Sequence, residues 1–517
     1  MSSQRDRILR STGRNLPPTS TGPRPGPAMA GRGFPLTPSP EPSMAGRDLL
    51  FGPSPGPSMA GRGFPFGPSP GPLMAGQGPP PTTMGPQSTM TPPTTMGPQS
   101  TVAPPTTMED MGLKSGVTLP TQENRVLNFD PNIIREDALN TWVIVHSRFP
   151  ALAEAFIEHK RAHGLPSEKA LYAEADWDWQ RLVRRLISKR PLAFVGVNDN
   201  TLFRTKVSMR DGKAYWDGIG HSMSADAMGE LREYMTYDEI MLSSLIGVSG
   251  PSYFINDGRR NNRGVRQEQG TFEPRGIIIG LVGTRFERRM HMDSNFILNN
   301  SDQRVQNPDL SRIFMNFFGV EKQYEGAFDV NAYMARMRIT IDMLLLEANA
   351  RARHADRRAY VYVVGLGLGV WAHNMYQPCY YVQTFCNALV ELRGTIGNIG
   401  TIEFAYIRVD VETRALVTAI ATAQGIAVKF SERNPAARLQ GDEAEQLLVL
   451  SYAWDGNSFP GNEYWQGNLA ASGDPAAACM STIAELHNPL VNESFLQRIH
   501  VLEPEADGGE VDQMQID

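Results

Sequence analysis

The C-terminal half of this 517-residue sequence predicts an α/β fold, with a parallel or mixed sheet covered by helices on both faces. Strand-like and helix-like segments alternate from Arg275 onward. A mostly helical stretch precedes them, and 25 of the 39 prolines but no lysine fall before Met108. That proline-rich stretch buries too little apolar surface to offset the entropy cost of ordering it.

We therefore divide the chain into four segments. Residues 1–120 are a disordered Pro/Gly/Met-rich repeat tail, 121–240 a mostly helical accessory subdomain, 241–503 the α/β domain, and 504–517 an acidic disordered C-terminus. In the tail Met-Ala-Gly recurs with a period of fifteen and Pro-Pro-Thr-Thr-Met with a period of twelve. These repeats are typical of a flexible spacer or of an array of docking motifs.

Charge and cysteine content exclude several classes of protein. The net charge is −6; eight arginines against three acidic residues give the first 108 residues +5, so the rest carries −11. An acidic globular part argues against a nucleic-acid partner. We expect neither a signal peptide nor a membrane span. Three cysteines make neither a disulfide framework nor a zinc site, so we expect no metal, no cofactor and an intracellular protein, cytoplasmic rather than nuclear.

The accessory region is predicted to contain helices, from the spacing of its apolar residues, and short strands, from its β-prone runs. Trp142, Phe149, Leu152 and Phe156 predict one helix, and a second ends before Pro191. Short strands are predicted at Leu192–Val197, Thr201–Val207 and Ala214–Trp216.

The α/β region contains five predicted strands and the helices between them. The strands are Gly276–Gly283, Tyr360–Leu366, Ile402–Val409, Ile426–Phe430 and Gln446–Trp454. The helices fall near 330–344, 381–392, 413–424 and 475–486. Ligands in such sheets bind beyond the carboxyl ends of strands, and two of these ends have unusual sequences.

The first is the glycine turn, which we define as Gly365-Leu-Gly-Leu-Gly-Val-Trp371. Closely spaced glycines let backbone amides approach a phosphate group. Val370 stands where a dinucleotide-binding fingerprint has its third glycine, and no Gly-Lys-Ser/Thr follows, so neither of those nucleotide motifs is present. A tight strand–helix turn without a ligand is the alternative interpretation.

The second is the acidic loop, which we define as residues 455–474. It contains Asp455, Glu463 and Asp474, with Trp454 and Trp465 nearby. Clustered carboxylates are typical of acid–base cleavage of a glycosidic-type bond, and they also bind guanidinium groups. Taken singly, Asp455 fits a turn, Glu463 a surface charge and Asp474 a helix N-cap.

Together these segments resemble the MavL-like macrodomains over roughly Leu245 to Val501. The resemblance rests on Gly280–Glu287, Gly365–Trp371, Tyr452–Trp465 and Ser472–Ala477. It implies a three-layer macrodomain-like sandwich with a mixed sheet. It also implies a metal-independent hydrolase that removes mono-ADP-ribose from arginine side chains of proteins, including ubiquitin for the bacterial member. The order of the elements suggests circular permutation, because the Asn-containing loop that opens ordinary macrodomains falls here at Asp455–Asn457.

The resemblance also implies roles for individual residues. Asp455 orients the distal ribose or water, while Glu463 and Asp474 bind the arginine end or assist acid–base chemistry. Glu463 departs from the aspartate favoured at its position. The implied ligand-binding residues are Gly365, Gly367, Leu368, Gly369, Val370, Trp371, Asn457, Asn462 and, near the adenine, Glu432. An ADP-ribose-binding reader without catalysis and an inert scaffold remain as alternatives.

Deletion of the repeat tail is expected to leave catalysis unchanged. A chain lacking Met1–Thr107 should show the same kcat for ADP-ribose release as the full chain, because a tail without fixed structure provides no contacts to an active site. A large drop in kcat in a steady-state assay of the two chains would contradict this.

Overall fold

The computed structural model describes residues 107–221, 227–299, 306–323, 326–470 and 472–504. The two repeat arrays and the acidic end after residue 504 lie outside these ranges, so the predictions for them stay predictions.

A mixed eight-stranded sheet forms the centre of the described part of the chain. In spatial order its strands are β11 (Ile499–Leu502), β1 (Trp142–His146), β5 (Ile246–Tyr253), β6 (Arg275–Leu281), β10 (Leu447–Ala453), β7 (Ala359–Val363), β8 (Ile399–Ala405) and β9 (Ala427–Ser431). The five strands from β6 to β9 run parallel, so their carboxyl ends lie along one edge. Strand β5 is antiparallel to both of its neighbours. The predicted α/β class is confirmed, with a mixed sheet.

Helices and a second small sheet occupy the N-terminal part. The helices are α1 (Pro131–Leu139), α2 (Phe149–His163), α3 (Pro166–Tyr172), α4 (Trp179–Ser188), α5 (Lys213–Gly218), α6 (Ala227–Glu233) and α7 (Tyr237–Ser243). The small antiparallel sheet contains β2 (Ala193–Val195), β3 (Asn200–Leu202) and β4 (Ser208–Met209). Because β1 pairs with β5 and β11, the main sheet takes strands from both sides of residue 240.

The remaining helices connect and flank the parallel strands. They are α8 (Ser294–Ile297), α9 (Pro308–Phe318), α10 (Val330–His354), α11 (Gln377–Glu391), α12 (Val411–Thr422), α13 (Asn462–Trp465), α14 (Gly473–Met480) and α15 (Ile483–Leu486). Aspartate side chains cap the N-termini of two of these helices. Asp329 accepts a hydrogen bond from the amide of Ala332 in α10, and Asp410 accepts one from the amide of Thr413 in α12. None of the helices in the described ranges is long and apolar enough to cross a bilayer.

Several local predictions were wrong. Trp142 lies in strand β1, because the β-branched run Val-Ile-Val that follows it pairs with β5 and β11. Residues 214–216 belong to helix α5 and not to a strand. The last predicted helix is broken in two by the extended residue Ser481.

A buried ion pair fixes the loop that follows β6. Asp293 and Arg336 are both fully buried, and Nε of Arg336 lies 3.0 Å from the Asp293 carboxylate. The other oxygen of Asp293 accepts from the backbone amide of Arg285 at 2.9 Å. Arg336 also donates to the carbonyl of Ser244 at 3.0 Å. Helix α10 therefore holds the start of this loop in place.

Breaking this pair is expected to destabilise the fold strongly. Arg336→Met leaves the Asp293 carboxylate buried without its cation, which typically costs about 3–5 kcal/mol. Urea denaturation should show this loss in the free energy of unfolding. The control is Arg312→Met, whose exposed pair with Asp309 should be worth about 0–1 kcal/mol. Equal, small losses for the two variants would contradict the assignment.

Candidate active site

Three loops meet at the edge of the sheet where the parallel strands end. They follow β6, β10 and β7, which are neighbours in the sheet. The loop after β6 includes Arg285 and Glu287, the acidic loop follows β10, and the glycine turn follows β7. The topology thus brings together the two segments singled out in the sequence, with a third between Leu281 and Asp293.

Asp474 holds the acidic loop together through two hydrogen bonds. It lies in the first turn of α14, is buried, and accepts hydrogen bonds from the backbone amides of Gly461 at 2.9 Å and Asn462 at 2.8 Å. It therefore holds the start of the neighbouring helix α13 instead of capping its own. Burial raises the pKa of Asp474 to about 7, aided by the negative charge of Glu463 and opposed by the two amide hydrogen bonds.

Asp455 is half-buried at the start of the loop. Burial raises its pKa well above the usual range; the charges of Asp474, Glu287 and Glu463 add to this, and Arg285 opposes it. Among the described residues no donor is hydrogen-bonded to its carboxylate, which is therefore available to a ligand or water. The structure thus brings the three predicted acids close enough to perturb one another. Glu463 itself is half-buried and accepts from the Ser472 hydroxyl at 3.1 Å.

The glycine turn packs against the loop after β6. Gly367 has φ = +74°, a conformation that favours glycine, and a Cβ placed on Gly283 would lie 2.3 Å from the Gly367 nitrogen. Gln377 donates to the Gly367 carbonyl at 3.2 Å. Beyond this contact Gly369 is exposed, and Val370 is 94% exposed. Helix α11 begins only at Gln377, so it does not follow the turn directly as the sequence suggested.

Arg285 joins the acidic loop to the glycine turn. Its guanidinium is buried, donates to the main-chain carbonyl of Asp455 at 3.0 Å and pairs with Glu287. It also lies 4.4 Å from the ring centroid of Trp371. The sequence predicts that the segment beginning at Arg285 lines the same cleft, because it follows a strand that ends in Val-Gly-Thr, but it predicts no individual role for Arg285.

The other predicted ligand-binding residues lie in different settings. Asn457 is buried with neither side-chain amide atom paired among the described residues. Asn462 uses its amide on Phe194 of β2, accepting at 2.6 Å and donating at 3.1 Å, so it ties the small sheet to the acidic loop. Glu432 is exposed just after β9 and pairs with Arg408 at 3.0 Å; β7 and β8 separate its strand from β10. Their roles in binding stay predictions.

No cluster of three or more His, Cys, Asp or Glu side chains suited to a metal ion occurs among the described residues.

The acidic loop and the glycine turn follow adjacent parallel strands of the α/β sheet. The chain belongs to the family described as ADP-ribosylhydrolase MavL-like, whose model matches residues 111–309 and 306–507. This confirms the resemblance and extends it N-terminally beyond Leu245, so the protein is an enzyme of the ADP-ribosylhydrolase class.

Two curated relatives from Drosophila melanogaster are similar over most of their length. ADP-ribosylarginine hydrolase CG3568 is 34% identical over 403 residues, covering 70% of this chain and 78% of the relative. ADP-ribosylarginine hydrolase CG2909 is 33% identical over 413 residues, covering 72% and 81% respectively.

Replacing Asp455 by a neutral residue is expected to stabilise the fold, and this stabilisation should increase as pH rises. Because the folded-state pKa is raised, the cost of ionising Asp455 begins above its unfolded pKa near 4 and is complete above the folded pKa. Asp455→Asn removes that cost, so its gain in Tm over wild type should grow as pH rises above about 4. Thermal melts at a series of pH values measure this, with exposed Asp442→Asn as the control. A gain that does not change with pH would contradict the assignment.

Proposed function

We propose that this protein hydrolyses the N-glycosidic bond that links ADP-ribose to the guanidinium group of a protein arginine side chain. The observation that carries the proposal is the pair of neighbouring acids Asp455 and Asp474, whose pKa values burial raises, beside a glycine turn. The family and the names of the two relatives support the same reaction.

The acids suit the charge of this substrate. ADP-ribosylated arginine carries a positive guanidinium, which carboxylates attract and orient. Glu463 and Asp474 bind this end, and Asp474 is held rigidly by its two amide hydrogen bonds. The unpartnered Asp455 carboxylate faces the reacting carbon and its water.

In the reaction, the oxygen of water forms a bond to C1″ of the ribose. The C1″–N bond breaks, and its electron pair stays on the guanidine nitrogen. The proton lost by water passes to Asp455 and from there to that nitrogen, so the released arginine side chain is again a guanidinium. Positioned acid–base groups of this kind typically contribute about 10²–10⁴-fold to the rate.

The rest of the ligand follows the sheet edge. The diphosphate is held by the backbone amides of Gly367, Leu368, Gly369 and Val370. Gly365 and Trp371 complete the diphosphate-binding side of the site. Asn457 contacts the distal ribose, and the adenine extends toward β9 and Glu432. This arrangement corresponds to a macrodomain-like sandwich in which circular permutation moves the Asn-containing loop to the C-terminal part. Asn462 acts by holding the acidic loop.

We propose that cleavage requires no metal ion. Both oxygens of Asp474 already accept backbone hydrogen bonds, and Asp455 and Glu463 suffice for proton transfer and charge. Activity is expected to survive exhaustive treatment with EDTA.

The decisive assay uses matched peptides modified on arginine, serine or glutamate, without added metal. We expect release of ADP-ribose from the arginine peptide alone, and ADP-ribosylated ubiquitin is the first whole protein to test. Asp455→Ala should abolish release, by at least about 10²-fold, while the variant remains folded. Asp442→Asn, an exposed acid, is the matched control. Binding of ADP-ribose without release from any peptide would make the protein a reader.

The pH profile tests the acids independently. Burial raises the pKa of Asp474 to about 7 and raises the pKa of Asp455 well above its usual range, so kcat/KM should already fall as pH decreases below about 7. A kcat/KM that does not change down to about pH 5 would contradict acid–base catalysis by these carboxylates.

A further inference from the structure

Two buried polar groups behind the acids have no partner in the described part of the structure. They are the Tyr452 hydroxyl and the two terminal guanidinium nitrogens of Arg190. Leaving such groups unsatisfied destabilises a folded protein, and a charged group does so more than a neutral one. Packing alone gives no reason for a folded protein to keep them there.

Arg190 reaches this position from the N-terminal part. It follows helix α4, its Nε donates to the Leu186 carbonyl at 2.7 Å, and its guanidinium lies 4.1 Å from the ring centroid of Trp454. Trp454 directly precedes Asp455. The next residue, Pro191, accepts a hydrogen bond from the Phe459 amide at 3.0 Å, which fixes the segment against the acidic loop.

Tyr452 lies among the charged groups of the site. It is the penultimate residue of strand β10, and its ring packs on β6 so closely that a Cβ on Gly280 would lie 2.7 Å from a ring atom. Burial and the charges of Asp474 and Asp455 raise the pKa of Tyr452 well above its usual value, while Arg190 opposes this shift. The hydroxyl therefore keeps its proton at neutral pH and is available as a donor.

We propose that Tyr452 is a further catalytic residue, whose hydroxyl donates a hydrogen bond to the attacking water between Asp455 and Asp474, and that Arg190 is its positioning residue. Arginine has only donors, so the positive charge of Arg190 favours the orientation of Tyr452 in which the hydroxyl oxygen faces the guanidinium and the proton faces the acids. Tyr452 keeps its proton throughout, and Asp455 still accepts the proton of the water. This inference rests on the proposed hydrolysis.

Tyr452→Phe is the central test, because it keeps the ring against Gly280 and removes only the hydroxyl. With the arginine-modified peptide, kcat should fall about 10-fold, because the attacking water loses the hydrogen bond that positions it. The KM for the peptide and the Kd for ADP-ribose should stay within about twofold, since the water and not the ligand loses a contact. Tyr172→Phe, a buried tyrosine bonded to Glu239 in the helical part, should leave kcat unchanged.

Arg190 is tested through its coupling to Tyr452. Arg190→Met should lower kcat without lowering Tm, because an unpaired buried cation is replaced by an apolar side chain. Arg190→Lys should restore part of kcat. The double variant with Tyr452→Phe should be no slower than the slower single variant, since both changes disrupt one arrangement.

The outcomes separate this inference from the proposed function. A wild type that releases nothing from the arginine peptide overturns both. An active wild type with an equally active Tyr452→Phe overturns the role of Tyr452 alone. A loss that appears in KM and Kd, and not in kcat, would show that the hydroxyl binds ligand and would also overturn it. Additive losses in the double variant would remove the positioning role of Arg190.

Discussion

The site depends on the two hydrogen bonds that the Asp474 carboxylate accepts from backbone amides. These two hydrogen bonds join the end of the acidic loop to Gly461 and Asn462 within the same loop, where the short helix α13 begins. The same burial that makes these bonds strong raises the pKa of the carboxyl group to about 7. One side chain therefore both closes the loop and supplies a group that titrates near neutral pH, and the placement of Asp455 and Glu463 follows from the closed loop.

The N-terminal region is part of the structure that supports this loop. Asn462 bonds to both backbone atoms of Phe194, and Arg190 stacks on Trp454. Strand β1 enters the main sheet between β5 and β11. The family match, which begins at residue 111 and not at the first parallel strand, includes the residues that make these contacts.

The site retains groups that cost stability. A half-buried acid without a hydrogen-bond donor, a buried tyrosine hydroxyl and an unpaired buried guanidinium all lie beside one another in the described structure. Local conflicts of this kind concentrate where a protein performs chemistry. Elsewhere comparable charges are paired, as Arg336 with Asp293 and Arg185 with Glu239 show.

The sequence by itself determined the α/β class, the glycine turn and the acidic loop, because hydrophobic periodicity and residue chemistry are local properties. It failed where long-range pairing overrides local preference. Trp142 became a strand residue through β5 and β11, and β5 itself went unpredicted because glycine, serine and proline interrupt its apolar run. Only the tertiary structure brought Arg285 and Arg190 to the acids, since they come from segments about 170 and 260 residues away in the chain, and burial against those segments, not sequence, sets the proton affinities of the site.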